Sequence, residues 1–270
     1  MKKLIAITLT LALCIGTLAG CGTAASTSSK LSLGGSTSVE KVIQAMMEAY
    51  MAENEDIKIT YAPTGSSTGI QGVNDGTLDI GLSSRSLKAE EKATLTETVF
   101  ALDGIAVIVN SKNAVTDLSI ETLAKIYKGE VTNWKDVGGS DSEIVVIGRD
   151  AASGTRDGFE SIVNVKEECV YAEEQASTGA VVASVQSNAG AIGYVSLSSV
   201  DSSVKALTID GVIASEQSVK DGSYKIQRPF VFATKTGAMS EAAKAFIDWA
   251  VSANTTELVK NAGAVPIAKP

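Results

Sequence analysis

From Lys30 onward, short apolar runs alternate with segments of helical periodicity, and that alternation leaves few folds open. "KLSLGG" reads as a strand, and Val39, Val42, Ile43, Met46, Met47 and Tyr50 then recur at helical spacing. "IKITYAP" is a strand alternating Ile57, Ile59 and Tyr61, "GIQGVNDG" a short helix with a turn, and "LDIGLSS" a third strand. "VFALDGIAVIVNS" predicts a buried strand, and "SIETLAKIYKG" a helix capped by Ser119 with Leu123, Ile126 and Tyr127 on one face. "EIVVIG", "AIGYVSL" and "RPFVFATK" read as later strands; "TGAVVASVQSN" and the closing "SEAAKAFIDWAVSANTTELVKNAG" read as helical. The pattern predicts α/β architecture with largely parallel sheets. A chain of 270 residues has room for two lobes of ordinary size. Crossings expected near Val109 and Arg228 divide it into lobe 1, residues 30–108 plus 229–270, and lobe 2, residues 109–228, with a cleft between them as the ligand site.

Residues 1–20 stand outside that fold. "MKK" is a positive start, Leu4 to Ala19 an apolar run, and "LAGC" ends it in the order small, small, cysteine. This is a secretory signal whose end resembles a bacterial lipobox. Cys21 is then expected to carry acyl (palmitoyl) chains, with residues 21–30 as a flexible tether. The expected location is the outer face of the cell membrane, held there by lipid.

Composition removes several functional classes. The chain has no histidine, which excludes the usual Ser-His-Asp and Cys-His catalysis and any histidine-bound metal. No cofactor is expected. The net charge is −8, and loss of the leader with Lys2 and Lys3 makes it −10. Nucleic acid is therefore not an expected partner. Beyond Cys14 and Cys21 the chain has only Cys169, so no internal disulfide is available to the globular part.

Basic residues are divided unequally. Nineteen are lysines and four are arginines: Arg85, Arg149, Arg156 and Arg228. Arginine offers a planar, multi-donor fork that lysine cannot imitate, and two of the four flank "RDAASGTR". That stretch shares a grammar with "GGSTSV" (Gly34–Val39) and "TGSSTG" (Thr64–Gly69), each lying between a predicted strand and a helix or polar turn. "SSRS" (Ser83–Ser86) follows the strand "DIGL". Ligands of open α/β sheets sit beyond the carboxyl ends of strands. Helix starts and small residues present N–H groups there, hydroxyls add adaptable donors, and arginine adds a fixed fork. Together they suit a small, multiply charged oxyanion.

Micromolar binding requires about −8 kcal/mol, and one hydrogen bond to a charged partner contributes roughly 1.5–3 kcal/mol. With ordering costs included, on the order of eight to twelve converging bonds are ample. Any one Ser/Gly loop is more often a turn or cap, and Arg85 and Arg156 read equally well as ion-pair residues. Four loops sharing one pattern carry the argument.

"GGSTSV", "YAPTGSSTGI", "DIGLSSR", "IYKGEVTNWKDVGG", "RDAASGTRDGF", "GAIGYVSL", "KAFIDWAVS" and "AGAVPI" resemble the substrate-binding lipoproteins of bacterial phosphate ABC transporters, the PstS-type family. The resemblance spans residues 18–270. It implies a two-lobed periplasmic-binding-protein-like fold of type II, each lobe a mostly parallel sheet flanked by helices, closing on inorganic phosphate. It also implies a non-enzymatic monomer that hands phosphate to the permease and ATPase subunits of a transporter. Carried over residue by residue, the ligand set is Ser36, Thr37, Ser38, Ser66, Ser67, Ser84, Arg149, Ser153, Gly154 and Thr155. Ser84 and Ala151 stand where many relatives carry aspartates, so preference for phosphate over sulfate falls to Asp150 or to an oxygen near Ser84 and Arg85. The rival readings are a binder of sulfate, molybdate or a phosphonate, and a serine-based phosphate-ester hydrolase.

Overall fold

A computed structural model describes residues 29–267; the leader, Cys14, Cys21 and the tether as far as Ser28 lie outside the described residues. The first half of the fold opens with β1 (Ser29–Gly35), α1 (Glu40–Glu53), β2 (Ile57–Pro63), α2 (Ser66–Asn74), β3 (Ile80–Ser83) and α3 (Ala89–Lys92). A long strand β4 (Leu95–Asn110) leads to β5 (Asp117–Leu118), α4 (Ile120–Tyr127), β6 (Val145–Arg149), α5 (Gly154–Val163), β7 (Glu173–Gln175), α6 (Thr178–Ser187) and β8 (Ala191–Ser196). The chain returns through β9 (Val204–Ala206), β10 (Thr208–Ile209), α7 (Glu216–Lys220) and β11 (Gln227–Lys235), and ends in α8 (Glu241–Ala250), α9 (Thr256–Asn261) and β12 (Val265–Pro266).

The sheet order is β2-β1-β3-β11-β4-β8-β6-β7. Pairing at both ends is parallel: β1 with β2 and β3, and β6 with β7 and β8. The middle is antiparallel, with β11 against β3 and β4, and β4 against β8 and β9. The sheet is thus mixed where the sequence pattern predicted largely parallel pairing. Every antiparallel pair involves one of the two long crossing segments, β4 or β11, and the apolar stretches of these strands carry no mark of direction.

Two apolar clusters flank the crossing. In one, Leu31 and Leu33 of β1 face Val42, Met46 and Tyr50 of α1, Phe246 of α8, and Phe100 stacked on Phe232 at 4.2 Å. In the other, Trp134, Ile147 and Val185 surround Phe159, which stacks on Tyr194 at 4.2 Å. Strand β4 exchanges its partner β11 for β8 between Gly104 and Ile105. Val109, farther along the same strand, lies within the second cluster.

Helix starts are set by capping. The Ser119, Ser153, Ser177 and Ser240 side chains accept hydrogen bonds from N–H groups in the first turns of α4, α5, α6 and α8. Trp134 is fully buried, and its indole N–H donates to Gly190 O at 2.9 Å, tying the turn after α4 to the start of β8. Cys169 is half-buried, and its thiol is pushed up to about 11, chiefly by burial, which suits an unreactive packing residue. Among the described residues, no helix is long and apolar enough to cross a membrane.

Candidate functional site

The start of helix α2 lies against the start of α5, and the short 3-10 turn Thr37–Val39 that leads into α1 bonds to the starts of both α5 and α6. Helix starts leave backbone N–H groups without intrahelical partners and carry partial positive charge. Four of them meeting at one place is an arrangement for an anion.

The side chains there form a buried web of hydroxyls. Ser38 Oγ shares hydrogen bonds with Thr155 Oγ1 at 2.7 Å and Thr178 Oγ1 at 3.1 Å. Thr37 Oγ1 shares one with Thr178 Oγ1 at 3.0 Å and accepts from the Thr178 N–H. Ser66 Oγ shares one with Ser84 Oγ at 3.2 Å and accepts from the Ser84 N–H at 3.1 Å. All of these residues are buried. The bonds of Thr37 and Ser38 to Thr155 and Thr178 cross from one side to the other, since the turn Thr37–Val39 follows β1 while Thr155 and Thr178 start α5 and α6, beyond β4. Lys41 adds a further tie, donating from Nζ to Ser198 O at 2.7 Å.

Arg149 supplies the charge. It sits at the end of β6 with only 2% of its surface exposed. Its guanidinium donates to Gln175 O, Ala176 O and Thr178 Oγ1. The other three arginines have carboxylate partners: Arg85 pairs with Glu91, Arg156 with Glu160 and Glu174, and Arg228 with Asp103. Among the described residues, Arg149 has none within ion-pair distance. Burial, and to a lesser extent the charge of Arg228, pushes its pKa below arginine's ordinary value, while Asp150 and Tyr194 pull the other way. A buried cation without a bonded counter-charge is costly unless something anionic completes it.

The sequence-predicted residues divide into three groups. Thr37, Ser38, Ser66, Ser84, Arg149 and Thr155 are brought together, with Gly154 between them. Ser36 and Ser153 lie at the edge as caps: Ser36 Oγ accepts from Ser38 N, and Ser153 Oγ from Thr155 N and Arg156 N. Ser67 is corrected. It is the second residue of α2, one step around the helix, and its side chain lines an open surface groove with Thr64, Thr68 and Gln71. Its backbone N–H is engaged by Ala152 O at 3.0 Å. Arg85 also lies outside the web, held by Glu91 through both terminal nitrogens at 2.8 Å.

Thr178 was missed by the sequence reading, although it touches Thr37, Ser38 and Arg149 at once. The available signal was "STG" (Ser177–Gly179), the same small-residue grammar at one more helix start. Asp150 next to Arg149 has a buried Oδ1 with no hydrogen-bond partner.

Gly154 is required by close approach. A Cβ there would lie 2.4 Å from Ser66 Oγ and 2.8 Å from Ser84 Oγ. Gly154→Ala is expected to weaken anion binding by about 1–3 kcal/mol through overpacking. Calorimetry would measure the loss, and an unchanged melting temperature would place it at the contact between loops and not in the core.

The family model described as the PBP superfamily domain matches residues 22–254. The chain is 33% identical to the phosphate-binding protein PstS of Bacillus subtilis, over 89% of this chain and 81% of that one. Among solved structures it resembles a phosphate ABC transporter substrate-binding protein of Clostridium perfringens with bound phosphate. Identity there is 41%, the TM-score is 0.86, and the match covers 88% of this chain and all of that one. An ABC-type phosphate transport receptor of Vibrio cholerae is 33% identical with a TM-score of 0.74, over 88% of this chain and all of that one.

Proposed function

We propose, because the chain belongs to the PstS family of phosphate-binding proteins, that it captures inorganic phosphate between the two halves of its fold and delivers it to an ABC permease. The observation that carries this reading is the buried Arg149, free of any carboxylate bond, in a web of hydroxyls at four converging helix starts. Phosphate would take donors from Thr37, Ser38, Ser66, Ser84, Arg149, Gly154, Thr155 and Thr178. Ser36 and Ser153 would shape the loops that present them.

The two apolar clusters act as lobes, and β4 and β11 as the strands that join them. Closing the lobes brings Ser38 to Thr155 and Thr178, so binding and closure are one event. The closed form is what the permease and its ATPase would recognise. Export and acylation at Cys21 would keep a monomeric protein at the outer face of the membrane.

The protein is read as a binder and not a hydrolase. The described hydroxyls of the web bond to one another, to backbone and to Arg149, and no lysine is bonded to them as a base. A phosphate-ester turnover assay is expected to show no product.

Calorimetry on the purified chain, titrating phosphate and then sulfate at two pH values, tests the assignment. Tight phosphate binding that sulfate does not displace is expected. Equal displacement by sulfate would leave an oxyanion binder of another specificity. The carboxylate assigned to discrimination is Asp150, whose buried Oδ1 can accept a proton from hydrogen phosphate and would repel fully ionised sulfate. Asp150→Asn is expected to narrow the phosphate-to-sulfate preference by about 10–100-fold, the equivalent of one bond to a charged group. An unchanged ratio in competition titrations would move the discrimination elsewhere.

A further inference from the structure

The polar groups behind Arg149 close on themselves. Its backbone N–H donates to Tyr194 Oη at 3.3 Å, and Tyr194 Oη shares a hydrogen bond with Tyr171 Oη at 3.0 Å. Tyr171 donates to Glu160 Oε1 at 2.9 Å, and the same oxygen accepts from Arg156 Nε at 2.8 Å. Arg156 Nη1 then donates back to Arg149 O at 2.9 Å. The path starts and ends on one residue's main chain.

The carboxylate fixes the direction of every bond. Glu160 accepts from Tyr171, so the single Tyr171 proton is committed, and Tyr194 must donate its own proton to Tyr171. That leaves a Tyr194 lone pair facing the Arg149 N–H. Burial raises the pKa of both phenols, so both protons stay in place across physiological pH. Arg156 Nη1 also reaches Glu174 Oε1 at 2.8 Å, on the strand whose neighbours Gln175 and Ala176 accept from the Arg149 side chain. Gly148, just before Arg149, belongs to the same arrangement: a Cβ there would lie 2.3 Å from the Tyr171 ring. The strand gives up a side chain to seat that tyrosine.

We propose that Arg156, Glu160, Tyr171 and Tyr194 are positioning residues, a closed hydrogen-bonded ring that holds Arg149 in its anion-binding orientation before the ligand arrives. This rests on Arg149 contacting phosphate. An arginine already fixed loses little freedom on binding, so the ring acts on affinity through pre-organisation. It also accounts for the second arginine of "RDAASGTR": Arg156 contacts Arg149 and would serve the ligand without touching it.

The test uses the purified full chain with Tyr171→Phe, Arg156→Lys and the double variant. Phosphate affinity is read by calorimetry, and hydrogen exchange at the Arg149 Nε–H by nitrogen-15 NMR, with that signal assigned by its loss in Arg149→Met. Each single variant is expected to weaken phosphate binding about tenfold and to speed Arg149 Nε–H exchange. The double variant is expected to be no worse than the weaker single one, because a ring once broken is not broken again. Should Tyr171→Phe not fold, Tyr194→Phe opens the ring at the Arg149 N–H itself while keeping the stack on Phe159, with the same expectation. A parent chain that binds phosphate while both singles stay within about twofold of it, or singles whose effects multiply, would overturn the ring alone. A parent chain that does not bind phosphate removes the functional reading and the ring together.

Discussion

Arg149→Met is expected to abolish measurable phosphate binding and to leave the ligand-free protein about as stable as its parent. The loss removes at least two bonds to a charged ligand at roughly 1.5–3 kcal/mol each, on the order of 10²–10⁴ in affinity. Stability behaves differently because Arg149 is buried with no bonded carboxylate. Removing it relieves a desolvation cost of several kcal/mol. It also strands the Ala176 carbonyl, at about 1–3 kcal/mol, and takes one of two donors from Gln175 O, which keeps the Asp150 N–H. These terms oppose one another, and the net change is expected within about 1 kcal/mol. Urea unfolding without phosphate would show a nearly unchanged midpoint and slope. Thermal melts would show that phosphate no longer raises the melting temperature, as it does for any ligand that binds only the folded state. A strongly destabilised ligand-free variant would make Arg149 a structural residue.

Asp103→Ala is expected to have the opposite profile, a loss of about 3–5 kcal/mol of stability, because it leaves a buried cation unpaired. Asp103 lies on β4 at the exchange of partners, and Arg228 lies opposite on β11. Arg228 Nε and Nη2 both donate to Asp103 Oδ2, at 3.1 and 2.9 Å, and Ser196 Oγ and the Leu197 N–H donate to Oδ1. The pair is almost fully removed from water. It pins three strands, β4, β8 and β11, at the place where the two apolar clusters meet. Replacing both members by apolar residues, Asp103→Leu with Arg228→Met, is expected to recover most of the loss, since a buried ion pair contributes little net stability but is costly to break. Chemical denaturation of the single and double variants gives the comparison. A double variant as unstable as the single would mean that hydrogen bonds to Ser196 and Leu197 dominate.

These two residues also show what kind of information a sequence holds. Arg149 stood out because it emerges from a buried strand into a Ser-Gly-Thr helix start, and all three features are local. Asp103 and Arg228 are 125 positions apart. Nothing near either one announces the other, and "VFALDGIAVIVNS" reads as one apolar strand in spite of its aspartate. Ser66 and Ser67 are neighbours of the same type, yet a helix turns successive side chains about 100° apart, so one enters the web and the other lines a surface groove. Arg85 and Arg156 read equally as site or surface residues; the structure pairs both with glutamates and gives only Arg156 a bond to Arg149.

By itself the sequence determined the alternation of strands and helices, the Ser119 cap and the small-residue loops at strand ends. Each depends on backbone preferences and side-chain contacts within a few residues. The mixed order of the sheet, the place where β4 changes partner, the entry of Thr178 into the site and the ring behind Arg149 were decided only by the tertiary structure. Those depend on strand register and on elements meeting across separations from tens to more than a hundred residues, where the energy of a contact exists only once the chain has brought both partners together.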